Sequence, residues 1–156
     1  MVSIETYKDS YKADWNNFVD SSKNSTFLFN RDFMDYHSDR FEDFSLMVYE
    51  KSELIALLPL NIIENKVYSH QGLSYGGLIV KNNIKFQKFL ELFIQILKYL
   101  NKKSVDKLFI KQIPSIYNSN FNGELDYLSF VIGGNIYRRD IISVIDMQNS
   151  FKISKD

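Results

Sequence analysis

The sequence contains no cysteine. Disulfide bonds, thiolate metal sites and a cysteine nucleophile are therefore excluded, and a reducing cytoplasm is the location we expect. The N-terminal segment 1–10 is polar and lacks the apolar centre of a signal peptide. The longest apolar run, 54–63, contains Pro59 and Asn61 and reaches only about half the length of a membrane span. We expect no transmembrane segment.

The chain also lacks an excess of charge. Its 19 Lys and Arg residues balance 19 Asp and Glu residues, and no basic block stands out. DNA is therefore not an expected partner. The length of 156 residues suits one domain with a sizeable core, and a hydrophobic fraction of 45% excludes disorder for most of the chain.

Hydrophobic periodicity predicts the secondary structure. Short alternating runs indicate strands, and apolar residues at spacings of three and four indicate helices. The predicted strands are 2–7, 44–49, 54–63, 66–70 extended by 75–80, 107–113 and 136–147. The predicted helices are 11–21, 30–38, 84–100 and 124–132. Asn30 is the predicted N-cap of the second helix, the Asn82–Asn83 pair caps the third, and Gly133–Gly134 supplies a left-handed stop for the fourth. The order β-α-α-β-β-β-α-β-α-β predicts an α/β (α+β) domain, a mixed sheet with helices on both faces.

Two stretches carry a resemblance to a known family. They are STFLFNRDFMDYHSDRFEDFSLMVYE at 25–50 and VYSHQGLSYGGLIV at 67–80. Both are similar to the opening domain of bacterial GNAT-like acyltransferases related to the Fem peptidoglycan aminoacyltransferases, which often occur in surface-polysaccharide gene clusters. A third piece, IYRRDIISVIDM at 136–147, resembles the strand that closes that domain.

The resemblance implies a GNAT-like domain over 1–147 and a tail over 148–156 that leads into a second domain in relatives. It implies N-acyl transfer from CoA or an aminoacyl-tRNA to an amine on a sugar or a cell-surface precursor. The alternative is a non-catalytic half that binds substrate or supports a partner domain. On its own, such a half is expected to form a homodimer that covers the face left bare by the missing second domain.

Acyl-CoA is the cofactor that the resemblance implies, but one departure from the family's sequence pattern weakens this expectation. GNAT enzymes hold the CoA pyrophosphate on backbone N–H groups of a glycine-containing turn between a strand and a helix. Here that turn reads KNNIK, at 81–85, and contains no glycine. We therefore do not expect CoA to bind by the usual route.

His70 and Tyr75 are the predicted catalytic residues. His70 follows a strand and precedes a glycine kink, where it is a candidate general base for the acceptor amine; the alternative is a buried histidine that orders the loop. Tyr68, Ser69 and Ser74 flank it and are candidate substrate ligands through their hydroxyl groups. Hydrogen bonds from these hydroxyl groups to the backbone of the kinked loop explain the residues equally well.

Three more residues complete the predicted site. Arg138 and Arg139 carry planar guanidinium groups, which bind carboxylate or phosphate through two hydrogen bonds at once. A surface ion pair between Arg139 and Asp140 explains these residues as well. His37 lies among carboxylates at the end of a helix, where pairing of Arg40 with Asp39 or Asp43 is favoured over a ligand role. No metal-binding motif occurs in the sequence.

Overall fold

The computed structural model describes residues 2–117 and 123–143. The helices in these ranges are Lys12–Ser21 (α1), Arg31–Met34 (α2), Phe86–Lys102 (α3) and Glu124–Val131 (α4). The strands are Val2–Thr6 (β1), Glu42–Asp43 (β2), Leu46–Glu50 (β3), Glu53–Leu58 (β4), Asn61–Ile63 (β5), Lys66–Tyr68 (β6), Ile79–Val80 (β7) and Lys107–Phe109 (β8).

The strands form two four-stranded sheets. The first has the order β1-β3-β4-β7, and its neighbours are antiparallel. The second has the order β2-β5-β6-β8, in which β6 and β8 run parallel and are joined by a long crossover that contains β7 and α3. The prediction of a mixed architecture with helices is confirmed, but the single sheet that we expected is divided in two.

Pro59 accounts for the division. The predicted strand 54–63 breaks into β4 and β5 around this residue, which has no N–H to donate to a ladder. Ser45 bridges the gap, since its Oγ accepts from Leu60 N at 3.1 Å, and Phe44 N donates to Leu60 O at 2.9 Å. The chain therefore passes between the two sheets at two neighbouring points, at 44–45 between β2 and β3 and at 59–60 between β4 and β5.

Helices cover both faces of the first sheet, as predicted. One face packs against the apolar stripe of α3 and Leu128 of α4, and the other packs against α1 and Met34. Successive strand residues alternate between these two cores, so that Val48 faces α3 while Met47 faces α1. This alternation is what a sheet buried on both faces requires.

The helix ends follow their predicted signals in part. Asn30 caps α2, because its Oδ1 accepts from Asp32 N at 3.0 Å. Gly133 has a φ of 71°, and Gly134 N donates to Ser129 O at 2.7 Å, which gives α4 a left-handed stop. The predicted Asn82–Asn83 cap is wrong: α3 begins after Lys85, which makes no side-chain cap.

The predicted closing strand is not observed where the structure describes it. Residues 136–143 form no ladder, and 144–147 lie outside the described residues, as does the tail 148–156. The predicted extension of strand 66–70 by 75–80 is wrong, because only Ile79–Val80 forms a strand there, β7, and it joins the first sheet while β6 lies in the second. No helix among the described residues is long and apolar enough to cross a membrane.

Candidate active site

The parallel strands β6 and β8 end at the same edge of the second sheet. In sheets of this kind, ligands bind beyond the carboxyl ends of parallel strands. The loop 69–76 covers this edge, and the chain after β8 runs beside it. Of the predicted site residues, Ser69, His70, Ser74 and Tyr75 belong to this loop, and Tyr68 immediately precedes it.

Lys111 fastens the loop at three points. Its backbone N donates to Ser69 Oγ at 2.7 Å, its backbone O accepts from Gly76 N at 2.6 Å, and its Nζ donates to Leu73 O. Burial lowers the pKa of the Lys111 amine. No carboxylate in the described part of the chain forms an ion pair with it.

Sequence reasoning missed Lys111. The signal was its position inside the apolar run LFIKQIP, where the neighbouring side chains favour partial burial of a lysine. Lys111 is half-buried and has no carboxylate partner among the described residues, an uncommon combination because burial disfavours the charged form. Such residues are therefore worth testing as candidate site residues.

His70 turns the chain at the end of β6. Its φ is 51°, a left-handed conformation that few residues other than glycine adopt. The side chain is 3% exposed, and its ring meets the edge of Phe41 with 5.8 Å between centroids. His70 therefore lies at the predicted place, in a conformation that orders the loop, with little surface open to a substrate.

Ser69 is fully buried and serves the backbone. Besides accepting from Lys111, it donates its N–H to Phe109 O at 2.8 Å, which extends the parallel pairing by one residue. A Cβ placed on Gly76 would lie 2.6 Å from Ser69 Oγ. The close approach of these two backbone segments explains the glycine, and it favours the structural interpretation of Ser69.

Tyr75 and Tyr117 bring two phenol groups together. Their ring centroids are 5.5 Å apart, and the hydrogen bond between them raises the pKa of the Tyr75 hydroxyl. A tyrosine is already protonated near neutral pH at its ordinary pKa, so the Tyr75 hydroxyl can donate a hydrogen bond with or without this contact. Ser74, beside it, is exposed. Tyr117 is a second site residue that the sequence did not indicate.

Tyr68, Phe109 and Tyr137 form a row of contacting aromatic rings beside the loop 69–76. Tyr68 stacks on Phe109 with 4.8 Å between centroids and 8° between planes, and Tyr137 meets Phe109 edge-on at 5.5 Å. This contact brings the neighbouring Arg138 beside β8. Arg138 Nε lies 3.0 Å from Asp140 Oδ1, so the predicted surface pair with Asp140 forms with Arg138 rather than Arg139.

The predicted residue His37 stands apart from this group in the chain, in the short turn Asp35–His37. Arg40 lies 3.8 Å from Asp39, one of its two expected partners, while Asp43 pairs with the fully buried Arg31. Among the described residues, no three His, Asp or Glu side chains are close enough to hold a metal ion.

The edge of β7 that faces away from β4 is closed by the segment after α1. Asn24 donates through Nδ2 to Leu78 O at 2.8 Å and accepts through Oδ1 from Val80 N at 3.0 Å. Lys23 N donates to Val80 O at 2.9 Å, and Lys23 Nζ pairs with Glu124 of α4. The polar backbone groups on this edge are thus already engaged.

The space beside this edge is small. It is lined by Gly76, Gly77, Leu78, Asn24, Phe89, Gln112, Ile113 and Leu125, and it measures about 20 Å³. That volume holds about one water molecule. The arm of a CoA thioester carries two amides that need both room and backbone partners, and this cleft offers neither.

The turn before α3 fits a pyrophosphate no better. Asn82 Nδ2 donates to Ser21 O at 3.1 Å, Lys81 pairs with Glu53, and Lys88 Nζ lies 2.6 Å from Glu50 Oε1. Carboxylates therefore already neutralise these cations. The turn therefore offers a pyrophosphate neither an unpaired Lys81 or Lys88 nor a glycine at which the backbone could approach it.

Neither the known family models nor the curated proteins match this chain. Solved structures do match its fold. An aminoglycoside N-acetyltransferase, AAC(6')-Iy, in complex with a CoA bisubstrate analog aligns with a TM-score of 0.57 and 9% identity, covering 94% of this chain and 99% of that one. A ribosomal-protein-alanine N-acetyltransferase from Brucella melitensis aligns with a TM-score of 0.57 and 10% identity over 93% and 99%. The fold is that of the GNAT N-acetyltransferases.

A third GNAT structure is the PaiA N-acetyltransferase from Thermoplasma acidophilum in complex with coenzyme A, with a TM-score of 0.51 and 14% identity over 86% of this chain and 89% of that one. At these identities the likeness concerns the GNAT fold alone. The closed β7 edge and the turn without glycine are features of the present chain that the shared fold does not dictate.

Proposed function

We propose that this chain is an N-acyltransferase-type domain that binds an acceptor amine at the carboxyl end of β6 and β8. The observation that carries the proposal is the grouping of His70, Tyr75, Tyr117 and Lys111 at this edge of a GNAT fold. The resemblance to Fem-like enzymes supports an amine on a sugar or a cell-surface precursor as the acceptor.

Each residue has a role in the proposal. An amine must lose a proton before it attacks an acyl carbon, and His70 is the proposed proton acceptor. The loop must then expose the ring, which is 3% accessible. Tyr75, whose ring lies against that of Tyr117, orients the acceptor by a hydrogen bond. Lys111 holds the loop in place.

A second candidate function is a non-catalytic half that binds the acceptor while another domain or chain supplies the acyl donor. The closure of β7 by Asn24 favours it, since the backbone groups along that edge are already hydrogen bonded within the chain. The proposed site is the same in both candidates, and they differ in where the donor is held.

Binding of acetyl-CoA separates the two candidates. A ligand at 100 times its dissociation constant stabilises a protein by about 2.7 kcal/mol, so a bound donor raises the melting temperature measurably. If acetyl-CoA leaves the melting temperature unchanged and no acetyl transfer to a panel of amino sugars is detected, the acyltransferase is rejected in favour of the acceptor-binding half.

His70→Asn tests the role of the imidazole. Asparagine tolerates the left-handed conformation, so this change removes the base without straining the loop. An acyl-transfer rate at least about a hundredfold lower, with an unchanged melting temperature, supports His70 as the proton acceptor. An unchanged rate eliminates it. Asn17→Ala, in an exposed position of α1, is the matched control.

A further inference from the structure

One face of the second sheet carries cations around a pair of stacked rings. On β6 and β8, Val67 and Leu108 belong to the core that packs on α3. Because side chains alternate along a strand, the residues before and after them point to the opposite face. We call this surface the lysine–aromatic face; it consists of Lys66, Tyr68, Lys107, Phe109 and Lys111.

The positive charges on this face are poorly balanced. Lys66 stands directly opposite Lys107 in the parallel register, an arrangement of like charges that destabilises a sheet. Lys66 has only Glu64 at 3.9 Å, and Lys107 forms no ion pair within the described ranges. Asp106, which precedes Lys107 in the chain, accepts a hydrogen bond from the side chain of Asn65 and forms no ion pair with a lysine among the described residues.

Lys111 adds a third cation at the far end of the face. Its amine is half-buried, hydrogen bonded to the Leu73 carbonyl, and surrounded by no carboxylate that the structure describes. A cation that has lost part of its hydration without gaining a counter-charge interacts more strongly with an arriving anion. This end of the face is therefore suited to a negative group as well.

The rings lie between the cations. Tyr68 and Phe109 stack on one another at 4.8 Å, and Tyr137, 66% exposed, leans on Phe109 from the side. A strand advances about 3.3 Å per residue, so the aromatic row lies roughly 6.6 Å from the Lys66 and Lys107 row. A ring with one phosphate spans a distance of this order.

We propose that the lysine–aromatic face binds a ring compound that carries a phosphate group. The phosphate lies between Lys66 and Lys107 and relieves their repulsion, while the ring packs on Tyr68 and Tyr137. A sugar phosphate and a nucleotide share this chemistry. The proposal requires neither an acyl donor nor His70 and stands apart from the acyl-transfer proposal.

Calorimetric titration of the whole chain tests this proposal. The probes are glucose 1-phosphate, UMP, inorganic phosphate and the uncharged uridine. We expect the phosphorylated rings to bind at least about tenfold more tightly than inorganic phosphate or uridine, since only they use both the cations and the rings. The probe with the higher affinity, glucose 1-phosphate or UMP, identifies the natural ligand class as a sugar phosphate or a nucleotide.

Variants locate the binding. Lys107→Gln should weaken the better probe about tenfold, and Tyr68→Leu should weaken it while leaving inorganic phosphate unchanged. Lys102→Gln, an exposed lysine at the end of α3, is the matched control and should have no effect. Melting temperatures within about 2 °C of the parent show that each variant is folded.

Three results overturn the proposal. The first is the absence of saturable binding by any phosphorylated probe up to about 10 mM. The second is equal affinity for inorganic phosphate and the phosphorylated rings, which describes a plain anion site. The third is an affinity that Lys107→Gln and Lys102→Gln change equally, which describes unspecific attraction.

Discussion

Asn24 and Val80 are joined by a hydrogen bond of 3.0 Å in which an amide side chain takes the place of a neighbouring strand. The same side chain binds Leu78 O, so that one residue imitates both the donor and the acceptor of a backbone ladder. In a GNAT fold this closes the edge of β7, and it ties the segment after α1 to the terminal strand of the first sheet.

Asn24→Ala leaves a buried donor and a buried acceptor unsatisfied. Each costs about 1–3 kcal/mol, so we expect the free energy of unfolding to fall by roughly 2–4 kcal/mol. Urea denaturation measures the change, with Asn17→Ala as the exposed control. A loss below about 0.5 kcal/mol would mean that water replaces the amide and that the edge is open.

Arg31 is expected to be a stability residue. Its guanidinium lies 3.4 Å from the ring centroid of Tyr7 and 4.0 Å from that of Trp15, and it pairs with Asp43. Arg31→Ala removes the stacking and the ion pair, with an expected loss of about 3–5 kcal/mol in urea denaturation. Arg31→Met should lose less, because it still fills the space between the rings.

The exposed Arg139 provides the control for this change. Arg139→Ala should stay within about 0.5 kcal/mol of the parent protein. Equal effects of the Arg31 and Arg139 substitutions would show that the stacked arrangement of Arg31 does not contribute to stability.

Gly76→Ala is expected to disrupt the candidate site. The new Cβ would meet Ser69 Oγ at 2.6 Å and the Ser69 backbone as well, so a strand has to move. We expect a loss of about 3 kcal/mol in chemical denaturation. Gly123→Ala is the matched control, since nothing lies within 4 Å of a Cβ at that position. If both substitutions are neutral, β6 and the 76–78 segment do not approach as described.

Lys111 should make stability depend on alkaline pH. Burial lowers its pKa in the folded protein below the ordinary value of 10.5, so the folded state binds fewer protons than the unfolded chain between those two values. The contribution of Lys111 to stability therefore rises with pH through this window. Lys111→Met should remove this rise, as measured by urea denaturation from pH 7 to 10.5.

The exposed Lys102, at the end of α3, is the control for the pH series. Lys102→Met should leave the slope of stability against pH as it is in the parent. If Lys111→Met leaves the slope of stability against pH unchanged, the Lys111 amine is as hydrated in the folded state as in the unfolded chain.

The sequence by itself determined the order of the elements and the two-sided burial of the sheet. The spacing of Phe89, Phe93 and Ile96 predicts α3 because a helix places residues three and four apart on one face. The left-handed stop at Gly133 and the cap at Asn30 follow from local chemistry that needs no distant partner. The grouping of His70 with Tyr75 on one loop was also readable, because the two are close in the chain.

Only the tertiary structure decided which distant residues complete that loop. Lys111 and Tyr117 lie some forty residues beyond it and reach it through the parallel pairing of β6 with β8, which long-range packing sets and local pattern does not. The closure of β7 by Asn24 is of the same kind, since the two are separated by more than fifty residues. Contacts at such separations depend on how the sheet twists and packs as a whole, and that is why the sequence could indicate this site but could not complete it.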